Sequence, residues 1–402
     1  MTLDEALARL LAAVQPLAQP ETLTTFDALG RVLAADVASL LDVPPEDNTA
    51  MDGYALRVAD VSAVATVLPV SQRIPAGVVG EALQPGTAAR IFTGAQVPRG
   101  ADAVVMQEQC EAVDGGVRVN VVPEAGQWVR RRGEDVQRSS VVLARGTRLT
   151  PQALGMAASV GAATLSVARR PRVALFSTGD ELVMPGEPLR PGAIYNSNRY
   201  TLRALLQALG CECTDLGIVP DTLEATRDAL RRAATDADLI LTCGGVSVGD
   251  EDHLRPAVQA EGRIDLWQIA IKPGKPLAFG EVRRPGSAAS VYFIGLPGNP
   301  VSSFVTFVLA VRPVLLRLQG ASVAPPLGLA VRADFDWPRP DRRREFLRVR
   351  RNAEGGLELF PNQSSGVLSS VVWGDGVVDN PPGQAIRRGD QVRYLCLADL
   401  LS

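Results

Sequence analysis

Residues 239–253 read LILTCGGVSVGDEDH. A short run of apolar and β-branched residues, 239–242, passes directly into Cys243-Gly244-Gly245-Val246-Ser247-Val248-Gly249, a turn whose bare backbone N–H groups can close around an anion. Three carboxylates follow at once, Asp250, Glu251 and Asp252. A strand that ends in a glycine-rich loop suits an open α/β sheet, in which ligands lie beyond the carboxyl ends of the strands. A loop that attracts negative charge and ends in negative charge needs something to reconcile the two.

The surroundings extend the pattern. Short β-rich runs at 173–176, 216–219, 239–242 and 291–294 alternate with helical patterns at 200–209, Leu223–Ala234 and 301–318. Residues 171–322 are therefore expected to form a three-layer α/β domain with a largely parallel sheet. Its strands should deliver STGDEL, VPDT, the glycine loop and GLPGNP to one rim. In the last of these Asn299 is a good N-cap and Pro300 suits the first helical position, so the N–H groups of Val301, Ser302 and Ser303 are expected to face outward. A well-capped helix and nothing more is the alternative for that motif alone. Two anion cradles on one rim, Gly244, Gly245, Ser247 and Gly249 on one loop and Pro297, Gly298, Asn299, Pro300 and Ser302 on the other, suggest a ligand with more than one phosphate-like group.

Asp180 and Glu181 in STGDEL, Asp221 in VPDT and Asp250–Asp252 share this rim, where unpaired carboxylates would repel phosphate by several kcal/mol at low effective dielectric. A hard divalent cation removes the conflict, and Mg²⁺ prefers one or two carboxylates plus substrate phosphates. Glu181, Asp221 and Asp252 are the candidate ligands. A solvated loop charge is the alternative reading of any one of them.

Composition narrows the chemistry. At 402 residues, 46% hydrophobic and 21% charged, the chain exceeds the size of a single core. The absence of an 18-residue apolar run and of a basic leader points to a soluble, cytoplasmic protein without a membrane partner. A net charge of −3 and 5% aromatic residues argue against a nucleic-acid partner. Five cysteines without a C-x-x-C pair argue against a disulfide framework or thiolate zinc site. Histidine occurs once, at His253, which removes Ser-His-Asp triads and H-E-x-x-H sites. Lysine occurs only at Lys272 and Lys275, both in IKPGKP, although Lys and Arg together number 41. A compact ammonium and a planar guanidinium are not interchangeable at a tight oxyanion site; a coding bias that spared two neighbours is the alternative.

Outside the α/β domain, Leu3, Leu7, Leu10, Leu11 and Val14 recur at helical spacing before Pro16 and Pro20. Residues 43–136 read as a β-rich domain inserted between two pieces, 1–42 and 137–170, of an elongated helical one. Residues 323–402 read as a small C-terminal β domain, completing an α/β plus β multidomain chain. Its basic run, 339–351, alternates around Phe346, Leu347 and Val349 and fits an edge strand with a solvated face; a phosphate contact by one or two of the arginines stays open. Polar sets at the edges of the β-rich domain, 47–54, 91–94 and 130–135, fit either a surface that meets a neighbour or ordinary turn chemistry.

Taken together and in order, DNTAMDGYAL, IFTGAQVPRGADAVVMQE, RRRGEDV, STGDEL, GGVSVGDED, KPGKPLAFG and GLPGNPVSS resemble the molybdopterin molybdenumtransferases, the bacterial MoeA family related to the C-terminal domain of gephyrin. The likeness runs from about residue 3 to 400. It implies four domains and a homodimer in which the second domain of one subunit helps to form the other's cleft. It also implies insertion of molybdate into adenylylated molybdopterin with release of AMP, Mg²⁺ as the metal, and dealings with molybdopterin adenylyltransferase and other cofactor-biosynthesis proteins. By motif, the family's functional positions fall on Asp52, Thr93, Asp135, Glu181, Asp221, Asp252, Lys272 and Lys275, with Ser365 and an arginine near Arg344 or Arg348. The sequence departs from the family pattern at Gln268, where some members carry a basic residue, and at Gln363-Ser364-Ser365-Gly366, where Gln-Gly-Ser is usual. The rival enzyme is the adenylyltransferase of the preceding step, which shares a similar α/β domain but lacks the extra domains. The non-enzymatic rival is a gephyrin-like scaffold, against which the intact acidic set and the absence of a long linker argue.

Overall fold

The computed structural model describes residues 1–245 and 253–401; Ser247, Gly249 and Asp252 lie outside the described residues. The central domain is a six-stranded sheet in the spatial order Glu212–Val219, Arg172–Thr178, Leu239–Cys243, Ser290–Leu296, Pro276–Arg283, Gly262–Gln268. The first four strands are parallel, and the last two are added antiparallel. The three inner parallel strands read as largely apolar runs because both faces are covered, whereas the edge strand Glu212–Val219 carries Glu212, Thr214 and Asp215 and is only partly buried. Helices Ser197–Ala208 and Pro300–Thr306 pack on one face through Leu202, Leu206, Val301 and Phe304. Helices Leu223–Ala234 and Leu254–Glu261 pack on the other through Leu230, Ala233, Leu254 and Ala257. The N-terminal helix Leu3–Ala13, started by a capping box of Thr2 and Glu5, buries Leu3, Ala6 and Leu10 in the first of these cores.

Pro300–Leu318 is long and apolar enough to cross a membrane, but 89% of that window is buried inside the protein. It is the core helix against which the N-terminal helix also packs, and it is interrupted by a π-helical turn at Phe307–Val311.

Strands Pro20–Thr24 and Thr164–Ala168 pair antiparallel beside helix Pro151–Ser159. Between them runs a β-rich segment whose six-stranded sheet covers Gly53–Leu56 through Gly116–Val119. It has one small core on each face, around Leu56, Val105 and Val117 and around Ile74, Ile91 and Val104.

The C-terminal sheet corrects one expectation. Arg344–Arg351 is an interior strand, flanked on one side by Gly376–Asn380 and on the other by Leu357–Leu359 and by Ile271–Lys272. Phe346, Leu347, Arg348 and Val349 are all buried. The arginine alternation suggested a wet face, but Arg348 is only 2% exposed. It pairs its guanidinium with Ser370 Oγ at 3.2 Å, Phe346 O at 3.1 Å and Ser364 O at 3.4 Å. Ile271–Lys272 comes from the central domain and pairs parallel with Arg344 and Glu345, so the lysine-bearing segment is stitched into the C-terminal sheet. A two-residue strand has no periodicity to read.

Candidate active site

At the carboxyl ends of the parallel strands, where the C-terminal domain closes over them, lies a cleft of about 690 Å³. Thr178, Gly179, Glu181, Asp221, Gly244 and Gly245 form its rim on the central sheet. Lys272, Gly274, Lys275, Pro297, Gly298, Asn299 and Ser302 form its floor, and Arg343, Gln363, Ser364 and Ser365 its far wall.

Two glycines allow the walls to meet. Gly244 has φ +95°, and a Cβ there would sit 2.7 Å from Thr178 O; Gly274 has φ +112°, and a Cβ would sit 2.4 Å from Thr306 Oγ1. By contrast the nearest atom to a Cβ on Gly298 is Gly244 Cα at 3.8 Å, with no positive φ. Gly274→Ala is therefore expected to lower stability by about 1–3 kcal/mol from backbone strain alone, whereas Gly298→Ala folds as the wild type does. Urea unfolding midpoints of the two variants check this contrast.

The helix start is used differently from the sequence expectation. Asn299 occupies the N-cap position but makes no side-chain cap bond. The Val301 N–H donates to Ser365 O at 2.9 Å and the Ser303 N–H to Asn299 O at 2.8 Å. Two of the three amides expected to be open are thus taken, one of them by a loop of the C-terminal domain docking on the positive end of the helix.

The two lysines differ. Lys272 Nζ lies 3.2 Å from Glu345 Oε1 and 3.5 Å from Asp341 Oδ2. Glu345 is fully buried and also accepts from Trp337 Nε1 at 2.8 Å and the Asp341 N–H at 3.0 Å. Arg343 grips Asp341 through Nε and Nη2 at 3.0 and 2.9 Å, and that guanidinium holds the Asp341 carboxyl well below the usual range. Lys275 is exposed and makes no ion pair among the described residues.

Glu181 and Asp221 face the cleft. The Glu181 carboxylate folds back over Gly179, where a Cβ would meet Oε2 at 2.6 Å, and the Asp221 N–H donates to Asp180 Oδ1 at 3.3 Å. Among the described residues no group of three or more His, Cys, Asp or Glu could hold a metal. Two carboxylates beside phosphate-sized space still fit Mg²⁺, which keeps waters and shares phosphate oxygens rather than demanding an all-protein cage.

The cleft thus gathers Glu181, Asp221, Gly244, Gly245, Lys272, Lys275, Pro297, Gly298, Asn299, Ser302 and Ser365. Pro300 lines an adjoining pocket with Asn198. Arg344 does not reach the cleft. Its guanidinium is bound to Asp379 at 2.5 and 2.6 Å and to Asp4 at 3.2 Å, in a separate cavity between the N-terminal helix and the C-terminal sheet. Arg343 lines the cleft instead, because one step along a strand carries a side chain to the opposite face. Arg348 stands behind the Ser364 loop, where burial pushes its guanidinium down to about 10. Sequence reasoning missed Arg343, Ser364, Thr178 and Asn198 as individual site residues. Thr178 beside STGDEL's acids, Arg343 within the basic run 339–351 and Ser364 beside Ser365 each lay in a stretch the sequence had marked, whereas Asn198 carried no signal.

Asp52, Thr93 and Asp135 lie in the β-rich segment and do not line this cleft. Asp52 Oδ1 accepts from the Thr93 N–H at 2.8 Å and Oγ1 at 2.7 Å, which holds its carboxyl below its ordinary value. Asp135 is exposed on a loop braced by Asp42 and Asp47. Asp42 accepts from Arg132 Nε at 2.7 Å, and Asp47 from Arg131 Nη1 at 2.7 Å and the Arg132 N–H at 2.8 Å.

Comparison with known proteins gives this arrangement its relatives. Family models described as the MoeA N-terminal region (domains I and II), a probable molybdopterin binding domain, and the MoeA C-terminal region (domain IV) match residues 1–161, 174–317 and 330–397. The chain is 42% identical over 321 residues to the molybdopterin molybdenumtransferase of Haemophilus influenzae, covering 80% of this chain and 78% of that one. It is 37% identical over 389 residues to that of Nostoc sp., covering 94% and 88%. The crystal structure of a molybdopterin biosynthesis MoeA protein from Pyrococcus horikoshii superposes with a TM-score of 0.84 at 29% identity, covering 98% of this chain and 99% of that one. With relatives of this identity aligned over most of both lengths, the chain belongs to the molybdopterin molybdenumtransferase (MoeA) family.

Proposed function

We propose that the cleft inserts molybdenum into adenylylated molybdopterin, taking up molybdate and releasing AMP in a late step of molybdenum cofactor biosynthesis. The observation that carries this reading is the placement of Lys272, Lys275 and Arg343 in one cleft with Glu181 and Asp221. A substrate that brings a pyrophosphate, together with a tetrahedral dianion, needs cations and amides for its oxygens, and carboxylates are tolerable there only as ligands of a bound cation. The Gly244 N–H is already donated to Leu296 O, so the Gly245 backbone, with the hydroxyls of Ser302 and Ser365, orients phosphate oxygens. Lys275, with no carboxylate partner among the described residues, is the cation most available to the incoming molybdate. Glu181 and Asp221, with Asp252, would hold Mg²⁺, which when bound neutralises phosphate charge as AMP leaves.

The reading includes a cytoplasmic homodimer, supplied with substrate by a molybdopterin adenylyltransferase. Phe26 is 93% and Leu40 79% exposed in the single chain, a cost that burial of either against a second copy would remove. In that dimer Asp52, Thr93 and Asp135 of one protomer complete its partner's cleft. The test is turnover by the purified protein. AMP release from adenylylated molybdopterin should depend on added molybdate and on Mg²⁺. Consumption of ATP and molybdopterin, with no use of the adenylylated compound, would overturn the assignment in favour of the preceding step.

A further inference from the structure

Beneath the cleft floor, a clamp ties together the two loops that face the ligand. Asn198, in the first turn of helix Ser197–Ala208, donates from Nδ2 to Gly298 O at 2.7 Å and to Cys243 Sγ at 2.9 Å. Cys243, 3% exposed, in turn donates to Pro297 O at 3.2 Å. Burial pushes this thiol up to about 11, so it stands as a neutral S–H donor.

The clamp has a directional consequence. The Pro297–Gly298 and Gly298–Asn299 peptides are trans, since the cis bonds among the described residues lie at Pro44 and Pro273. In a trans peptide the N–H points opposite to the C=O. With the carbonyls of Pro297 and Gly298 drawn down to Cys243 and Asn198, the N–H groups of Gly298 and Asn299 are turned the other way. Neither N–H donates to any other described residue, and both residues are exposed and line the cleft. Gly244, directly after Cys243, is fixed to the neighbouring strand by its N–H to Leu296 O at 3.1 Å.

We infer that Asn198 and Cys243 are positioning residues. They aim the Gly298 and Asn299 amides at an anionic oxygen of the substrate and fix the spacing between this pair and the Gly244–Gly245 turn. The inference rests on the reading of the cleft as a site for a ligand with phosphate groups. Two successive amides directed at one oxyanion are worth more than their number suggests, because charge-assisted hydrogen bonds are about twice as strong as neutral ones and a preorganised pair loses little entropy on binding.

Calorimetric binding of AMP and of inorganic pyrophosphate, in the presence of Mg²⁺, separates this role from a purely structural one. Cys243→Val replaces the thiol by an apolar side chain of similar size and removes the donor; Cys243→Ser restores a donor. Cys243→Val should weaken binding about tenfold with little change in melting temperature, Cys243→Ser should regain most of that affinity, and Asn198→Ala should lose at least as much. Asn198→Ser provides a second probe if the alanine variant does not fold. Wild-type affinities in Cys243→Val and in a folded Asn198 variant would overturn the clamp while leaving the cleft's function standing. A wild-type protein that binds neither AMP nor pyrophosphate would overturn the reading of the cleft itself.

Discussion

Lys272→Ala should destabilise the protein by about 3 kcal/mol, whereas Lys275→Ala should stay within about 0.5 kcal/mol of wild type. The difference is Glu345. Its side chain is 1% exposed and its three donors are Lys272 Nζ, Trp337 Nε1 and the Asp341 N–H. Removing the ammonium leaves a buried carboxylate with two neutral donors and only the field of the Arg343 guanidinium, which is already bound to Asp341, and breaking a buried pair by deleting one partner typically costs 3–5 kcal/mol. The lower end applies because Lys272 itself is 39% exposed, so water can reach the vacated site. Glu345→Gln introduced together with Lys272→Ala should recover most of the loss, since the amide still accepts from Trp337 and carries no charge. Urea unfolding of the two single variants and the double variant tests this directly, and a Lys272→Ala midpoint equal to that of Lys275→Ala would show that the pair does not matter to folding. Both alanine variants should lose turnover, but only Lys275→Ala should do so with the fold intact.

This contrast also shows how far the sequence could be read. The rarity of lysine in IKPGKP flagged Lys272 and Lys275 equally, because composition reports residue type and not partners. What separates them is the pairing of Ile271–Lys272 with Arg344 and Glu345, a contact about 73 residues distant in the chain and too short to leave a pattern. The glycine turn at Gly244-Gly245 and the strand-to-helix passage at Gly298–Pro300 were legible because each combines a strand end with residues whose backbone chemistry is local. Arg343 was not. In Arg342-Arg343-Arg344 all three positions look alike, and only the register of the strand, fixed by Phe346 and its buried neighbours, decides which one faces the cleft. The helix dipole at Val301 was legible as a positive end, but its occupant, Ser365 O, belongs to another domain and has no local signature.

Mixing an Asp135→Ala chain with an Asp221→Ala chain, each inactive alone, should restore about a quarter of wild-type turnover if two copies share their sites. Asp221 lines the cleft and Asp135 does not. Yet Asp135 sits on a loop that four arginine-to-aspartate hydrogen bonds hold in place, and Asp52 spends two hydrogen bonds fixing Thr93. Such bracing of residues that do not line the cleft of their own chain fits a surface that finishes a partner's site. A closed two-fold dimer carries two equivalent sites. In a heterodimer of the two variants, one site receives both substitutions and the other receives neither. At equal mixing with free exchange about half of the dimers are heterodimers, and each has one good site in two, which gives the expected quarter. The exposed Phe26 and Leu40 supply a second arm: Phe26→Asp in both chains should weaken the dimer, seen as a shift toward monomer mass in light scattering, and abolish the rescue without touching a cleft residue. Mixtures no more active than their parents, with exchange demonstrated by labelled chains, would place all of the chemistry within one chain and leave the bracing of Asp135 to be explained by folding alone.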